Sequence, residues 1–336
     1  MSPVPPLDCK PRRRDILRVG AATLLTSALG DHARASATID TLRLICTGPA
    51  GSIPDIVARR SAEQLIGEHA QRVWVENRPG AAGQIAVGAL KTAPADGSTL
   101  LLAQGAIATV YPYLYPKLAY DPALDLQPVS IAGEMTLGLA VGPAVPAEVK
   151  QVSELVDWMR RHPQLANVGS PGTGTLPHLL AAMLFQQAGV GWQHVAYGGG
   201  PPALVDLMGG QIAVLVLPEG LLRQHVANGR VRVLATSGAA RTAQLPEVPT
   251  LAEAGYADLV VREWFAFFMP GRASAGAVEA ASLALQRALG RPELVKAFDD
   301  LGMVATSSTP AALAARIAAE QRTWATIVRT TGVRAE

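Results

Sequence analysis

Cysteine is almost absent from this chain. Of 336 residues only Cys9 and Cys46 carry a thiol, and Cys9 lies in an N-terminal stretch unlike the rest. Cys46 then stands alone, which excludes an intramolecular disulfide and makes a buried apolar cysteine the expected role. An excess of one charge is missing too. The first 37 residues hold six Lys/Arg against three Asp/Glu, leaving 23 basic and 24 acidic side chains in the remainder. A net charge near −1 offers no basic field to nucleic acid. Beyond the N-terminal stretch no apolar run is long enough to span a membrane.

Catalytic and cofactor patterns are missing as well. His69, His162, His178, His194 and His225 show no H-x-x-x-H spacing, so no metal site is expected. Gly83 and Gly88 have the glycine spacing of a phosphate loop, but Ala89 stands in place of its lysine. Gly172-Thr173-Gly174 begins a G-x-G-x-x-G pattern that Pro177 breaks. Ser170 lacks the preceding glycine of a nucleophile elbow, since Val168 is there. No catalytic residue and no cofactor are expected.

What is present begins with a leader. Arg12, Arg13 and Arg14 precede Ile16-Leu17-Arg18, a modest apolar run from Val19 to Leu29 follows, and Ala35-Ser36-Ala37 supplies small residues for cleavage. The three regions predict an export signal over residues 1–37, cleaved near Ala37, and R-R-D-I-L-R resembles the twin-arginine pattern. The alternative is a disordered basic tail.

The remaining chain, in a sequence 49% hydrophobic, can bury a large core, and its length suggests about two domains. Thr41–Cys46 (TLRLIC) reads as a buried strand. It runs into a turn containing Gly48, Pro49, Gly51 and Pro54, then into a helix with Asp55 in its first turn. Such a unit is either an ordinary connection or an anion cradle made of free backbone N–H groups. Arg72–Val75 and Ser98–Ala103 repeat the pattern, with a helix at Gln84–Lys91 between them. Successive strand–loop–helix units predict a doubly wound parallel sheet with ligands beyond the strands' carboxyl ends. Tyr111–Pro128, dense in Pro and Tyr, reads as surface chain, and Gly142-Pro143 as a crossing point after a strand at Thr136–Val141. A second series follows, with strands ending at Val168, Tyr197, Leu217 and Ala235. Leu245–Gly255 reads as a linker or ordered loop, Trp264–Met269 (WFAFFM) as the most apolar strand, and the rest as helices. In the second series Gly169–His178 (GSPGTGTLPH) is another candidate cradle, though Thr173 or Thr175 as a simple helix cap is the competing reading.

Taken together, several stretches carry a resemblance: P-A-G-S-I-P-D-I-V-A-R (49–59), V-E-N-R-P-G-A-A-G (75–83), A-D-G-S-T-L-L-L (95–102), Y-P-K-L-A-Y-D-P (115–122), G-S-P-G-T-G-T-L-P-H-L (169–179), H-V-A-Y-G-G-G-P-P-A-L-V-D-L-M-G-G-Q (194–211), L-A-T-S-G (234–238) and L-P-E-V-P-T-L-A-E-A-G-Y (245–256). In this order and spacing the chain resembles the Bug family, the periplasmic substrate-binding receptors of tripartite tricarboxylate transporters. The resemblance implies an α/β fold of the type II periplasmic-binding-protein kind: two domains, each a mostly parallel sheet flanked by helices, with the ligand cleft between them. Domain 1 would begin with 38–140, domain 2 would be 141–237, and 238–336 would return to domain 1. A small organic carboxylate would be held by two loops, one from each domain. The first supplies Pro49, Ala50, Gly51, Ser52, Ile53 and Asp55, and the second Ser170, Gly172, Thr173, Gly174 and Thr175. Gln104, Gly105 and Tyr197 fall at further cleft positions, and Glu219 adds an acid where many members are neutral. Asp55 either orients its loop or contacts an amino or amide group of the ligand.

The resemblance further implies a periplasmic monomer that closes about a hinge and serves membrane permease subunits or a sensor protein. The first loop departs from the family's P-P-G-G-S-T-D at Ala50, Ser52, Ile53 and Pro54, and Ala103-Gln104-Gly105 replaces Thr-Ser-Gly. These changes point to a carboxylate with an apolar or amide-bearing body rather than a dense tricarboxylate. The remaining alternative is a hydrolase pairing Ser170 with His178.

Overall fold

The structure is a computed structural model that describes residues 39–331 together with Met1, Arg334 and Ala335. The leader reading therefore lies outside the described residues. From Thr38 onward the chain forms one compact unit containing two sheets.

The first sheet is built on β1 (Ile39–Cys46), β2 (Ala70–Asn77), β3 (Thr99–Gln104), β4 (Leu126–Met135), β10 (Glu263–Pro270) and β11 (Met303–Ala305), in the order β11-β4-β10-β3-β1-β2. β1 pairs in parallel with β2 and β3, joined through α1 (Ile53–Leu65) and α2 (Gln84–Lys91). β10 runs antiparallel between β3 and β4. Its eight residues are all buried, which suits a central strand covered on both faces. Period-two alternation divides them between two cores. Trp264, Ala266 and Phe268 join one cluster with Leu101 and Ala103, while Phe265, Phe267 and Met269 join another with Leu100 and Leu102. Helices α7 (Ala275–Leu289), α8 (Pro292–Asp299) and α9 (Pro310–Thr331) follow β10 in the chain, and α7 packs Val278, Ala281 and Leu285 into the second cluster.

The second sheet contains β5 (Leu137–Val141), β6 (Asn167–Ser170), β7 (Gln193–Ala196), β8 (Val214–Pro218) and β9 (Arg232–Thr236), in the order β7-β6-β8-β5-β9. β6 pairs in parallel with β7 and β8, and β5 runs against β8 and β9. Its helices are α3 (Val152–Arg161), α4 (Leu176–Gln187), α5 (Gly200–Met208) and α6 (Glu219–Val226). The first core cluster continues into this lobe through Leu139, Val168 and Val216.

The chain changes sheets at Thr136, between β4 and β5, not at Gly142-Pro143. Val141 pairs with Val214 on β8, so the whole 137–141 strand belongs to the second sheet. The return follows β9. Ser237 Oγ accepts from the Leu137 N–H and donates to the Val261 carbonyl, at 2.9 and 2.7 Å, tying outgoing and returning segments together. The 245–256 stretch is an ordered loop, with Thr250 bridged to Thr236 and Leu251 in the core. Tyr111–Pro128 runs mostly at the surface, as its sequence predicts, but Tyr111, Leu114 and Tyr120 are buried and anchor it, and Leu126 opens β4. The one-turn helix Tyr111–Leu114 buries Tyr111 and Leu114, and the Tyr120 hydroxyl donates to the Ile107 carbonyl.

The two lobes also touch directly where α6 begins. A Cβ on Gly220 would meet the Leu301 carbonyl oxygen at 1.7 Å, so only glycine fits. Gly276, inside α7, has open space around its missing Cβ. Gly220→Ala is expected to destabilise the protein by about 1–3 kcal/mol, and Gly276→Ala to stabilise it by about 0.4–1 kcal/mol. Urea denaturation of the two variants checks both signs.

Candidate functional site

A cavity of about 430 Å³ lies between the lobes. From the first lobe it takes the 47–54 turn, the 79–84 turn, Gln104, Tyr115, Glu263 and Phe265. From the second it takes Pro171–Thr173, Thr175, Pro177, the 196–201 turn, Leu217, Pro218 and Leu221. Four helices begin at these walls: α1 behind Ser52, α2 behind Gly83, α4 behind Thr175 and α5 behind Gly199. None has a side-chain hydrogen bond capping its N-terminus. The hydroxyls that could cap are turned into their own loops. Ser52 donates to the Pro49 carbonyl at 2.6 Å, and Thr175 to the Gly172 carbonyl at 2.7 Å. Helix N-termini left this way carry partial positive charge, but Pro54, Pro177, Pro201 and Pro202 lack an N–H and the Gln84 N–H already donates to the Ala81 carbonyl, so each keeps only part of the usual set of free donors. Among the described residues, the cavity walls contain no Lys, Arg or His. Backbone N–H groups and neutral polar side chains such as Ser52, Gln104, Thr173 and Thr175 are the donors this wall offers an anion.

The first loop is shaped by a buried acid beneath it. Asp55 accepts from the Gly51 N–H at 2.9 Å, from Asn77 at 2.8 Å and from Arg59 at 2.9 Å. Asn77 also donates to the Gly48 carbonyl. Burial by itself would raise the Asp55 pKa, but these hydrogen bonds outweigh it and hold the carboxyl below its ordinary range. Gly51, at φ +78°, sits in the left-handed region that such a turn needs. Of the expected residues here, Pro49, Ser52 and Ile53 line the cavity, whereas Ala50, Gly51 and Asp55 do not. Cys46, free and buried, receives the Gly48 N–H on its sulfur, and burial pushes its thiol up to about 12.

Gln104 lines the cavity and organises the neighbouring turn. It accepts from Thr47 at 3.0 Å and donates to the Ala82 carbonyl, which also accepts from the Tyr111 hydroxyl at 2.9 Å. Ala81 and Ala82 are the non-glycine residues held at positive φ, a costly conformation that these two donors fix. Gly105 lies off this cavity. A Cβ there would strike the Trp264 ring at 2.2 Å, so its glycine is a packing requirement.

In the second lobe Gly172, Thr173, Thr175 and Tyr197 line the cavity; Ser170, Gly174 and Glu219 do not. Ser170 Oγ meets His194 Nε2 at 2.8 Å, and His194 stacks on His178 with ring centroids 3.8 Å apart. Ser170 is thus paired with His194 rather than His178. Among the described residues no carboxylate reaches His194. His178 instead accepts the Gly174 N–H on Nδ1 at 3.1 Å, which fixes the loop. Tyr197 donates its hydroxyl to Asp206 and presents its ring. Glu219 is buried at the start of α6, its N–H on the Thr136 carbonyl, and burial raises its pKa. Across the cleft Tyr115 donates to the Thr173 carbonyl at 3.2 Å. Sequence reasoning passed over three wall elements: the 79–84 turn, the 198–201 turn and Glu263. The first two had a signal, since each is a glycine-containing turn between a strand and a helix.

Burial, aided by His194, lowers the His178 pKa from 6.5 to about 4. The unfolded imidazole therefore protonates first as pH falls. Stability from the neutral ring is whole above about 6.5 and is lost between there and about 4. His178→Asn, which keeps an acceptor for Gly174 but cannot titrate, is expected to lose less melting temperature across that window. An equal loss in both proteins would contradict this role for His178.

Residues 57–333 match the family model described as tripartite tricarboxylate transporter family receptor. BugT of Bordetella pertussis is 31% identical over 294 residues, covering 87% of this chain and 90% of that protein. A Rhodopseudomonas palustris protein, Rpa4515, solved with adipate superposes at a TM-score of 0.81 with 26% identity, over 87% of this chain and 97% of its own. MatC of the same organism, solved with malate, gives 0.80 and 26% identity, over 86% and 99%. The structure of the periplasmic binding protein BugD is likewise similar, at a TM-score of 0.82. This chain belongs to the tripartite tricarboxylate transporter receptor family.

Proposed function

We propose that this protein is an exported, non-catalytic receptor that captures a small organic carboxylate between its lobes. The observation that carries the reading is a cavity lined by four uncapped helix N-termini and no cationic side chain. Malate and adipate, held by two related proteins, are anions that such a site suits. Ligand contacts are assigned to Pro49, Ser52, Ile53, Gln104, Gly172, Thr173, Thr175 and Tyr197. Asp55, Gly51 and Gly174 set loop geometry from behind. The apolar walls from Ile53, Pro54, Leu217, Leu221 and Phe265 favour a ligand with an apolar body over a densely charged tricarboxylate. After removal of a leader near Ala37, the monomer would work in the periplasm. It would open about Thr136–Leu137 and Ser237, close on ligand, and be read by membrane permease subunits or a sensor protein.

A thermal-shift screen against mono-, di- and tricarboxylates, on protein refolded to strip carried-over ligand, tests this. A ligand at a hundred times its dissociation constant should add about 2.7 kcal/mol. Citrate binding more tightly than any mono- or dicarboxylate would contradict the apolar-body assignment, and no carboxylate binding would contradict the receptor reading.

Tyr115 donates to the Thr173 carbonyl only while the lobes are together. Tyr115→Phe is expected to raise the ligand dissociation rate about threefold to tenfold, the equivalent of about 1 kcal/mol, with a smaller change in association rate. Stopped-flow kinetics separates the two.

A further inference from the structure

Glu263 stands apart from everything the carboxylate site requires. It opens β10 with its Cα paired to Met135, beside the segment where the chain crosses between lobes. It lines the cavity and is only 7% exposed. Among the described residues no hydrogen bond or ion pair reaches its carboxyl. Of the donors on the same side of the cavity, Gln104 and Tyr111 donate to Ala82, and Tyr115 donates to Thr173. Glu263 also borders a second cavity of about 230 Å³, to whose wall Asp258, Arg262, Arg316 and Glu320 contribute. There Arg262 and Arg316 pair with Glu134, and Arg316 also with Glu320.

A buried carboxyl without a partner is costly and rare in a folded protein. Desolvation raises its pKa to about 7, so near neutrality it is poised between charged and uncharged forms. The surrounding field is divided. Four helix N-termini make parts of the cavity wall positive, while among the described residues Glu263 is the one acidic side chain in it. A second carboxylate placed on ionised Glu263 would meet like charge in a low-dielectric wall, which rejects it. A cationic group placed there would supply the missing donors.

We infer that Glu263 selects the ligand: the site takes a carboxylate whose far end carries a protonated amine, the carboxylate on the helix N-termini and the ammonium on Glu263. This rests on the carboxylate-receptor reading and narrows its ligand class. The competing arrangement is a protonated Glu263 donating to the second carboxylate of a dicarboxylate. The two have opposite pH dependence. Ammonium binding needs the ionised acid and strengthens as pH rises through about 7, whereas dicarboxylate binding weakens.

Calorimetric titration of the purified protein with straight-chain monocarboxylates, ω-aminocarboxylates and α,ω-dicarboxylates of matched length, at pH 6 and pH 8, tests the inference. At pH 8 the best ω-aminocarboxylate is expected to bind about tenfold more tightly than its matched dicarboxylate, the equivalent of about 1.4 kcal/mol. The preference should shrink at pH 6. Glu263→Gln, checked by thermal melting, should abolish it. A dicarboxylate preferred at pH 8, or a preference untouched by Glu263→Gln, overturns the inference and leaves the receptor reading standing. Failure of every carboxylate to bind overturns both. The wild-type comparison at pH 8 decides the matter even if the variant does not fold.

Discussion

The N–H groups that open a helix have no partner within it, and folded proteins ordinarily answer them with a capping side chain. Here four helices from two lobes start at one cavity, and the side chains placed to answer them are committed elsewhere. Ser52 and Thr175 donate back into their own loops, and Gly83 and Gly199 have nothing to offer. On the proposed reading, the backbone of these turns supplies the anion's donors at a point where the two lobes meet. Because no cationic side chain lines the cavity, selectivity falls to its shape and to the few polar groups that remain.

Holding those turns open requires buried polar groups beneath them, each fully engaged. Asp55 gathers Gly51, Asn77 and Arg59 under the first loop. Gln104 and Tyr111 converge on Ala82 under the next, where two alanines are kept at positive φ. His178 receives Gly174 in the second lobe. Such networks rigidify a site when every member is satisfied. Glu263 differs from them by lining the cavity with no hydrogen bond to its carboxyl among the described residues, whereas Glu219, which also keeps an unpartnered carboxyl oxygen, lies off the cavity.

Much of this was legible beforehand. Glycine-containing turns between strands and helices marked both main loops, and the unbroken apolar run 264–269 marked a central strand. What was not legible has physical causes. Tyr111 reads as surface because its hydroxyl is polar, yet it is buried with that hydroxyl on Ala82. A dipeptide such as Gly142-Pro143 announces a turn but not which sheet the preceding strand joins, and β5 joins the second. Gly105 is required by Trp264, 159 positions further along the sequence, a neighbour that no local pattern discloses. Glu263 resembles any acid at a strand's beginning until the donors around it are accounted for.

A crystal structure of the protein with a bound carboxylate tests whether the ligand is held by backbone at facing helix N-termini. The carboxylate oxygens are expected within hydrogen-bonding distance of backbone N–H groups from the 49–55 turn of one lobe and the 171–176 turn of the other. A carboxylate held by an arginine or lysine side chain, or bound outside the cavity between the lobes, would contradict that arrangement.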